Sequence, residues 1–209
     1  MQVKVCGLKY PSNIKELIDL PIDYIGMIFY EKSPRYMNEE ISVDFIKTIP
    51  ASIKKVGVFV NEANQSIIEK ISQYQLDFIQ LHGDETSETC KELSEYTKII
   101  KAFPMKDGFD FKLLEEYLPF VDYFLFDTAT VNYGGSGQTF NWQILSNYPY
   151  NIPFFLSGGI DEQHAEELKT LSLPQLAAID INSKFEISAG LKDIQKIKQF
   201  ISKLNTHDN

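Results

Sequence analysis

QVKVCGLKYPSN, residues 2–13, decides how this chain folds. Val3 and Val5 alternate with Lys4 and Cys6, the period-two pattern of a strand whose one face is apolar and whose other carries an ammonium and a thiol. The turn after this strand separates two ways of building an α/β protein. An open, doubly wound sheet that holds a dinucleotide places GxGxxG at this first turn, and CGLKYPSN does not match it. PSNIKELIDL, residues 11–20, reads instead as a helix, with Ser12 or Asn13 expected as its cap.

The alternation then continues to the end of the chain. Strands are expected at 23–29, 54–60, 76–81, 98–103, 121–128, 152–157 and 176–182. Helices are expected at 42–49, 64–74, 85–96, 110–118, 141–147, 161–171 and 192–204, that at 141–147 being weakly patterned. Strands separated by helices pair in parallel, and a parallel sheet needs both faces covered. Eight such units in 209 residues predict a single (β/α)8 TIM barrel with parallel strands, a catalytic domain over residues 1–205 and a frayed tail at 206–209.

Composition narrows the function classes. With 44% hydrophobic residues the chain can bury a sizeable core, and disorder is not expected. A net charge of −9 opposes nonspecific binding of nucleic acid, whose phosphates it would repel. No apolar run approaches the ~18 residues of a membrane span, and no basic-then-apolar leader opens the chain, so neither membrane nor secretion is expected. Cys6 and Cys90 make a poor disulfide framework; reduced thiols in the cytoplasm are the expectation.

Barrels of this class carry their reactive groups where strands end, at the C-terminal face. Read along the chain, those ends are Cys6, Arg35, His82, Asp127, Ser157 with Gly158 and Gly159, and Asp180 with Asn182 and Ser183. Each has a bland reading: a buried thiol as a small hydrophobe, an aspartate as a turn residue, an arginine as a solvated loop charge, a glycine pair as a turn. Lys4 lies two residues before Cys6 on the same face, and barrel closure brings the eighth strand beside the first. A Lys4–Asp180 ion pair beneath the site is therefore expected, biasing the Cys6 thiol or simply satisfying the carboxylate.

KVCGLK, DYIGMIFYEKSPRY, KKVGVFVN, IQLHGDE, FLFDTATVNYGGSGQTFNW, PFFLSGGI and IDINSKFE…GLKD, in that order, resemble the phosphoribosylanthranilate isomerase family. The likeness runs from residue 3 to residue 193, and the serine–proline–arginine loop with the aspartate–threonine pair makes it specific. It implies an Amadori rearrangement of a small phosphorylated substrate in tryptophan biosynthesis, without cofactor or metal. Cys6 would be the general base and Asp127 the general acid, the latter keeping its proton through burial in an apolar surround. Arg35, the only arginine, would hold the anthranilate carboxylate through two parallel hydrogen bonds. His82 would line the pocket, Gly158, Gly159 and Ser183 would hold phosphate, and Asp180 would support binding. Gly135, Ser136 and Gly137 would allow a loop to cover the substrate. Lys184 departs from the family pattern, in which glycine follows the serine, so the sign of its φ and its direction stay open. A different sugar-phosphate isomerase or epimerase, and a noncatalytic barrel that binds phosphorylated ligands, are the alternative readings. The oligomeric state is open.

Overall fold

The computed structural model describes residues 1–37, 41–128 and 140–206. Eight strands occur in chain order: β1 (Gln2–Val5), β2 (Tyr24–Ile28), β3 (Lys54–Phe59), β4 (Phe78–Leu81), β5 (Lys98–Met105), β6 (Tyr123–Thr128), β7 (Phe154–Leu156) and β8 (Leu176–Ile181). Each pairs in parallel with the next, and β8 returns to β1 with Asp180 opposite Lys4, closing the barrel. The TIM-barrel expectation is met.

Side-chain alternation sorts residues into two cores. Tyr24, Val56, Phe78, Ile100, Leu125 and Phe155 point into the barrel, while Ile25, Ile79, Ile99, Phe124, Phe126 and Phe154 pack outward under the helices. Fully burying an aliphatic or aromatic side chain of this kind contributes about 1.5–3 kcal/mol. At the foot of the barrel Tyr24 and Tyr123 each meet Phe155 edge-on, with ring centroids 5.0 Å apart, and Phe78 lies 5.8 Å from Tyr24 and 5.9 Å from Tyr123. This aromatic layer plugs the N-terminal end. Three aspartates latch the same end: Asp23, Asp77 and Asp122 accept the backbone N–H groups of Val3, Lys55 and Ile99 at 2.8–2.9 Å.

The outer layer holds α1 (Pro11–Leu17), α2 (Val43–Ile46), α3 (Asn64–Tyr74), α4 (Ser87–Ser94), α5 (Ala165–Thr170) and α6 (Ile194–Asn205). The cap of α1 is neither Ser12 nor Asn13. Tyr10 is the cap and Pro11 takes the first helical position, where its fixed φ suits the helix. Asn13 is buried instead, accepting from Lys192 N at 2.7 Å and donating to Lys192 O at 3.0 Å. Two expected α-helices are tightened to 3-10 geometry, Phe111–Tyr117 and Trp142–Asn147. Each lies between a capping Asp110 or Asn141 and a proline, Pro119 or Pro149, which cannot continue a helix. The connection after β8 contains an unexpected hairpin, β9 (Glu186–Ser188) with β10 (Leu191–Lys192). Among the described residues no helix is long and apolar enough to cross a membrane. The residues beyond Thr206 in the expected tail lie outside the described residues.

Candidate active site

At the C-terminal mouth the strand ends enclose a cavity of about 390 Å³, within the range of small-molecule sites. Cys6, Arg35, His82 and Asp127 line it, and so do Gly158, Gly159, Asp180 and Ser183. The structure thus brings together every expected site residue that it describes; Gly135, Ser136 and Gly137 lie outside the described residues.

Cys6 comes directly after β1 and donates its backbone N–H to Ile181 O at 2.9 Å. Its sulfur sits in a notch left by Gly26, where a Cβ would lie 2.7 Å from Sγ and 3.0 Å from Cys6 Cα. One step down the same face, Lys4 Nζ lies 2.8 Å from Asp180 Oδ2, both groups buried, so the expected ion pair is present. Burial opposes the Lys4 charge, but Asp180 and then Cys6 outweigh it and hold Lys4 above its ordinary value. Burial pushes the Cys6 thiol up, and the nearby Lys4 and Lys192 pull it back only partly. The resting group is therefore a thiol, and the two lysines raise its thiolate fraction from what burial alone would leave. Asp180 Oδ1 is buried without a hydrogen-bond partner among the described residues, an acceptor left on the cavity wall.

Asp127, near the end of β6, is not in the apolar surround expected of it. Because the strand ends at the mouth, its side chain stays 21% exposed, with Oδ2 3.3 Å from His82 Nε2. Its Oδ1 accepts the Thr128 N–H at 2.8 Å. His82 is itself oriented by Gln80, whose Nε2 lies 2.8 Å from His82 Nδ1. Gly158 has a steric reason to lack a side chain. With φ +92, it leaves room for Asp127 Oδ1 and for Thr128, whose Oγ1 and N a Cβ would strike.

Arg35 lines the wall with its fork already engaged. Nε bonds both oxygens of Glu186 at 3.0 Å and Nη2 bonds Oε2 at 2.7 Å. Lys192, fully buried, donates to Glu186 Oε1 and to Asn182 Oδ1, both at 2.7 Å. Burial acts to raise the Glu186 carboxyl, but Arg35 and Lys192 prevail and hold it below the ordinary carboxylate value. Burial pushes Lys192 down, partly offset by Glu186. Sequence reasoning missed this network: Arg35 and Glu186 lie 151 positions apart, and Lys192 stands in a segment read as helix. Lys184 keeps a negative φ within a short 3-10 turn, Ser183–Phe185, and lines the cavity.

A family model described as N-(5′-phosphoribosyl)anthranilate (PRA) isomerase matches residues 3–203. The chain belongs to the PRA isomerase family. The namesake enzyme of Parabacteroides distasonis is 47% identical over 209 residues, covering 98% of this chain and 93% of that one. The crystal structure of the phosphoribosyl anthranilate isomerase of Thermotoga maritima superimposes with a TM-score of 0.85 at 32% identity, covering 98% of each chain. Another phosphoribosyl anthranilate isomerase, solved in complex with reduced 1-(o-carboxyphenylamino)-1-deoxyribulose 5-phosphate, is 29% identical with a TM-score of 0.81 and the same coverage. As a PRA isomerase family member, the protein is an isomerase of the aldose–ketose type in tryptophan biosynthesis.

Proposed function

We propose that the protein converts N-(5′-phosphoribosyl)anthranilate to 1-(2-carboxyphenylamino)-1-deoxyribulose 5-phosphate, with Asp127 as general acid and Cys6 as general base. The observation that carries the reading is that both side chains line one cavity, on strands three places apart round the ring.

Asp127 gives a proton to the furanose oxygen while the amine lone pair breaks the C1–O bond, leaving an iminium. The Cys6 thiolate then takes the proton from C2, and the electron pair neutralises the iminium to an enolamine. Proton return to C1 and loss of the C2 hydroxyl proton complete the keto product, so no atom is gained or lost. Lys4 and Lys192 favour the thiolate that the second step requires. His82, against Asp127, holds the acid in place before transfer.

At the phosphate end, Gly158 and Gly159 offer backbone donors without side chains, Ser183 offers a backbone donor and a hydroxyl, and Lys184 adds a cation. Glu186 engages two of the five N–H groups of Arg35, so Arg35 meets the anthranilate carboxylate as a prefixed cation with its remaining donors rather than with a free fork. Asp180 Oδ1 and Thr128 Oγ1, both buried and unpaired among the described residues, suit the sugar hydroxyls.

The test is loss of substrate anthranilate fluorescence with purified protein. Turnover removes the signal and simple binding leaves it. Cys6→Ser and Asp127→Asn are each expected to lower kcat by about 10²–10⁴-fold, the range for a positioned acid or base. Full activity in either variant would remove that residue from the assignment.

A further inference from the structure

Lys101 lies on β5, between Ile100 and Ala102, which face the barrel interior; its own side chain points outward and is 2% exposed. A lysine buried in an outer apolar layer needs acceptors, and its ammonium finds most of them where β4 ends and the following loop begins. Nζ donates to Leu81 O at 3.3 Å, Gly83 O at 2.8 Å and Glu85 Oε2 at 3.0 Å, with Ala102 O at 3.3 Å. Glu85, also buried, grips the same loop from the other side. Its carboxylate accepts Gly83 N at 2.9 and 3.1 Å and Asn61 N at 2.9 Å.

These contacts converge on one residue. Two of the carbonyls held by Lys101, those of Leu81 and Gly83, belong to the neighbours of His82, and the Gly83 N–H is held by Glu85. His82 itself donates its backbone N–H to Phe59 O at 2.9 Å. With its main chain so constrained, the His82 ring has its place fixed between Gln80 and Asp127. We propose that the buried Lys101–Glu85 pair is a positioning element for the isomerisation, holding the His82 ring against Asp127. Neither member of the pair lines the cavity or touches the reacting atoms; both act through the loop. The proposal rests on the assignment of Asp127 as acid.

The test is a double-mutant cycle on kcat with Lys101→Met and His82→Ala. Lys101→Met is expected to lower kcat by about tenfold with KM changed less than about twofold, the signature of a misplaced group rather than lost substrate binding. In the His82→Ala background the same change is expected to cost less than about twofold, because the ring it positions is gone. Should Lys101→Met fail to fold, the cycle is run with the isosteric Glu85→Gln, which leaves Lys101 in place. An unchanged kcat in the folded single variant, or an equal loss with and without His82, would overturn the proposal. Failure of the acid assignment reads out separately: an active Asp127→Asn enzyme removes the acid while the Lys101–His82 coupling is still measured.

Discussion

Gly26→Ala is the perturbation whose cost the structure defines most directly. The added methyl would stand 2.7 Å from Cys6 Sγ, 3.0 Å from Cys6 Cα and 3.2 Å from Cys6 Cβ. Nonbonded carbon contacts settle at about 3.5–4.0 Å, so the overlap is about 1 Å at sulfur and about 0.5 Å at the main chain. Rotation about χ1 relieves the first and not the second. β1 and β2 must therefore part slightly just where Gly7 N donates to Gly26 O at 2.9 Å. Overpacking of this kind costs about 1–3 kcal/mol, and in a chain of this size each kcal/mol moves Tm by about 2–4 °C. A melting-temperature loss of roughly 2–12 °C is expected from those two ranges. The thiol is displaced by about half an ångström or more, and misplacement on the 1 Å scale costs up to about 10²-fold in rate. Fluorescence-monitored turnover should show kcat down by about 10–100-fold. In a Cys6→Ala background the overlaps with Cα and Cβ persist, so the same glycine change should still lower Tm by a comparable amount. Parental kcat and Tm in Gly26→Ala would show that the notch does not hold the Cys6 thiol in place.

Other perturbations address the charges. Because burial raises the Cys6 thiol above its ordinary value, its alkylation by iodoacetamide should accelerate about tenfold per pH unit from pH 7 to beyond pH 9; a plateau below pH 9 would contradict the raised value. Glu186→Gln leaves the buried Lys192 and Arg35 without their carboxylate and should cost about 3–5 kcal/mol in urea titrations at pH 7. The folded-state carboxyl is held low, so its stabilisation is complete above the unfolded carboxyl pKa and fades as pH falls through the folded one. The gap between parent and variant should therefore narrow on acidification and stay constant from pH 6 to 8. Lys184→Gln should raise KM by about two- to fivefold with kcat unchanged, as for a partly exposed charge, and KM should become less sensitive to salt; an unaltered KM would place Lys184 outside the phosphate contact.

The barrel was legible because its strands alternate so cleanly: VKVC and FLFD assign each side chain to a face, and the faces hold. The Lys4–Asp180 pair came from that alternation plus closure, which makes β8 a neighbour of β1. The Cys6, His82 and Asp127 positions at one mouth were readable for the same reason. Polar side chains that belong to packing rather than to a strand face were not. Asn13 looked like a cap because caps are what asparagines near helix starts usually are, and nothing local shows that Lys192 will bind it. Arg35 looked free because Glu186 meets it only through the hairpin after β8, whose strands are too short for a periodic pattern. Lys101 carries the same invisibility: a lysine between apolar neighbours gives no hint that three carbonyls and a carboxylate await it.

The ring of Tyr24, Phe78, Tyr123 and Phe155 has a kinetic consequence. With the far end of the barrel stoppered, arrival and departure both take place at the C-terminal mouth, and the spent ketose must vacate before another aminosugar can be admitted. Accumulating product will then act as a purely competitive brake on the forward reaction.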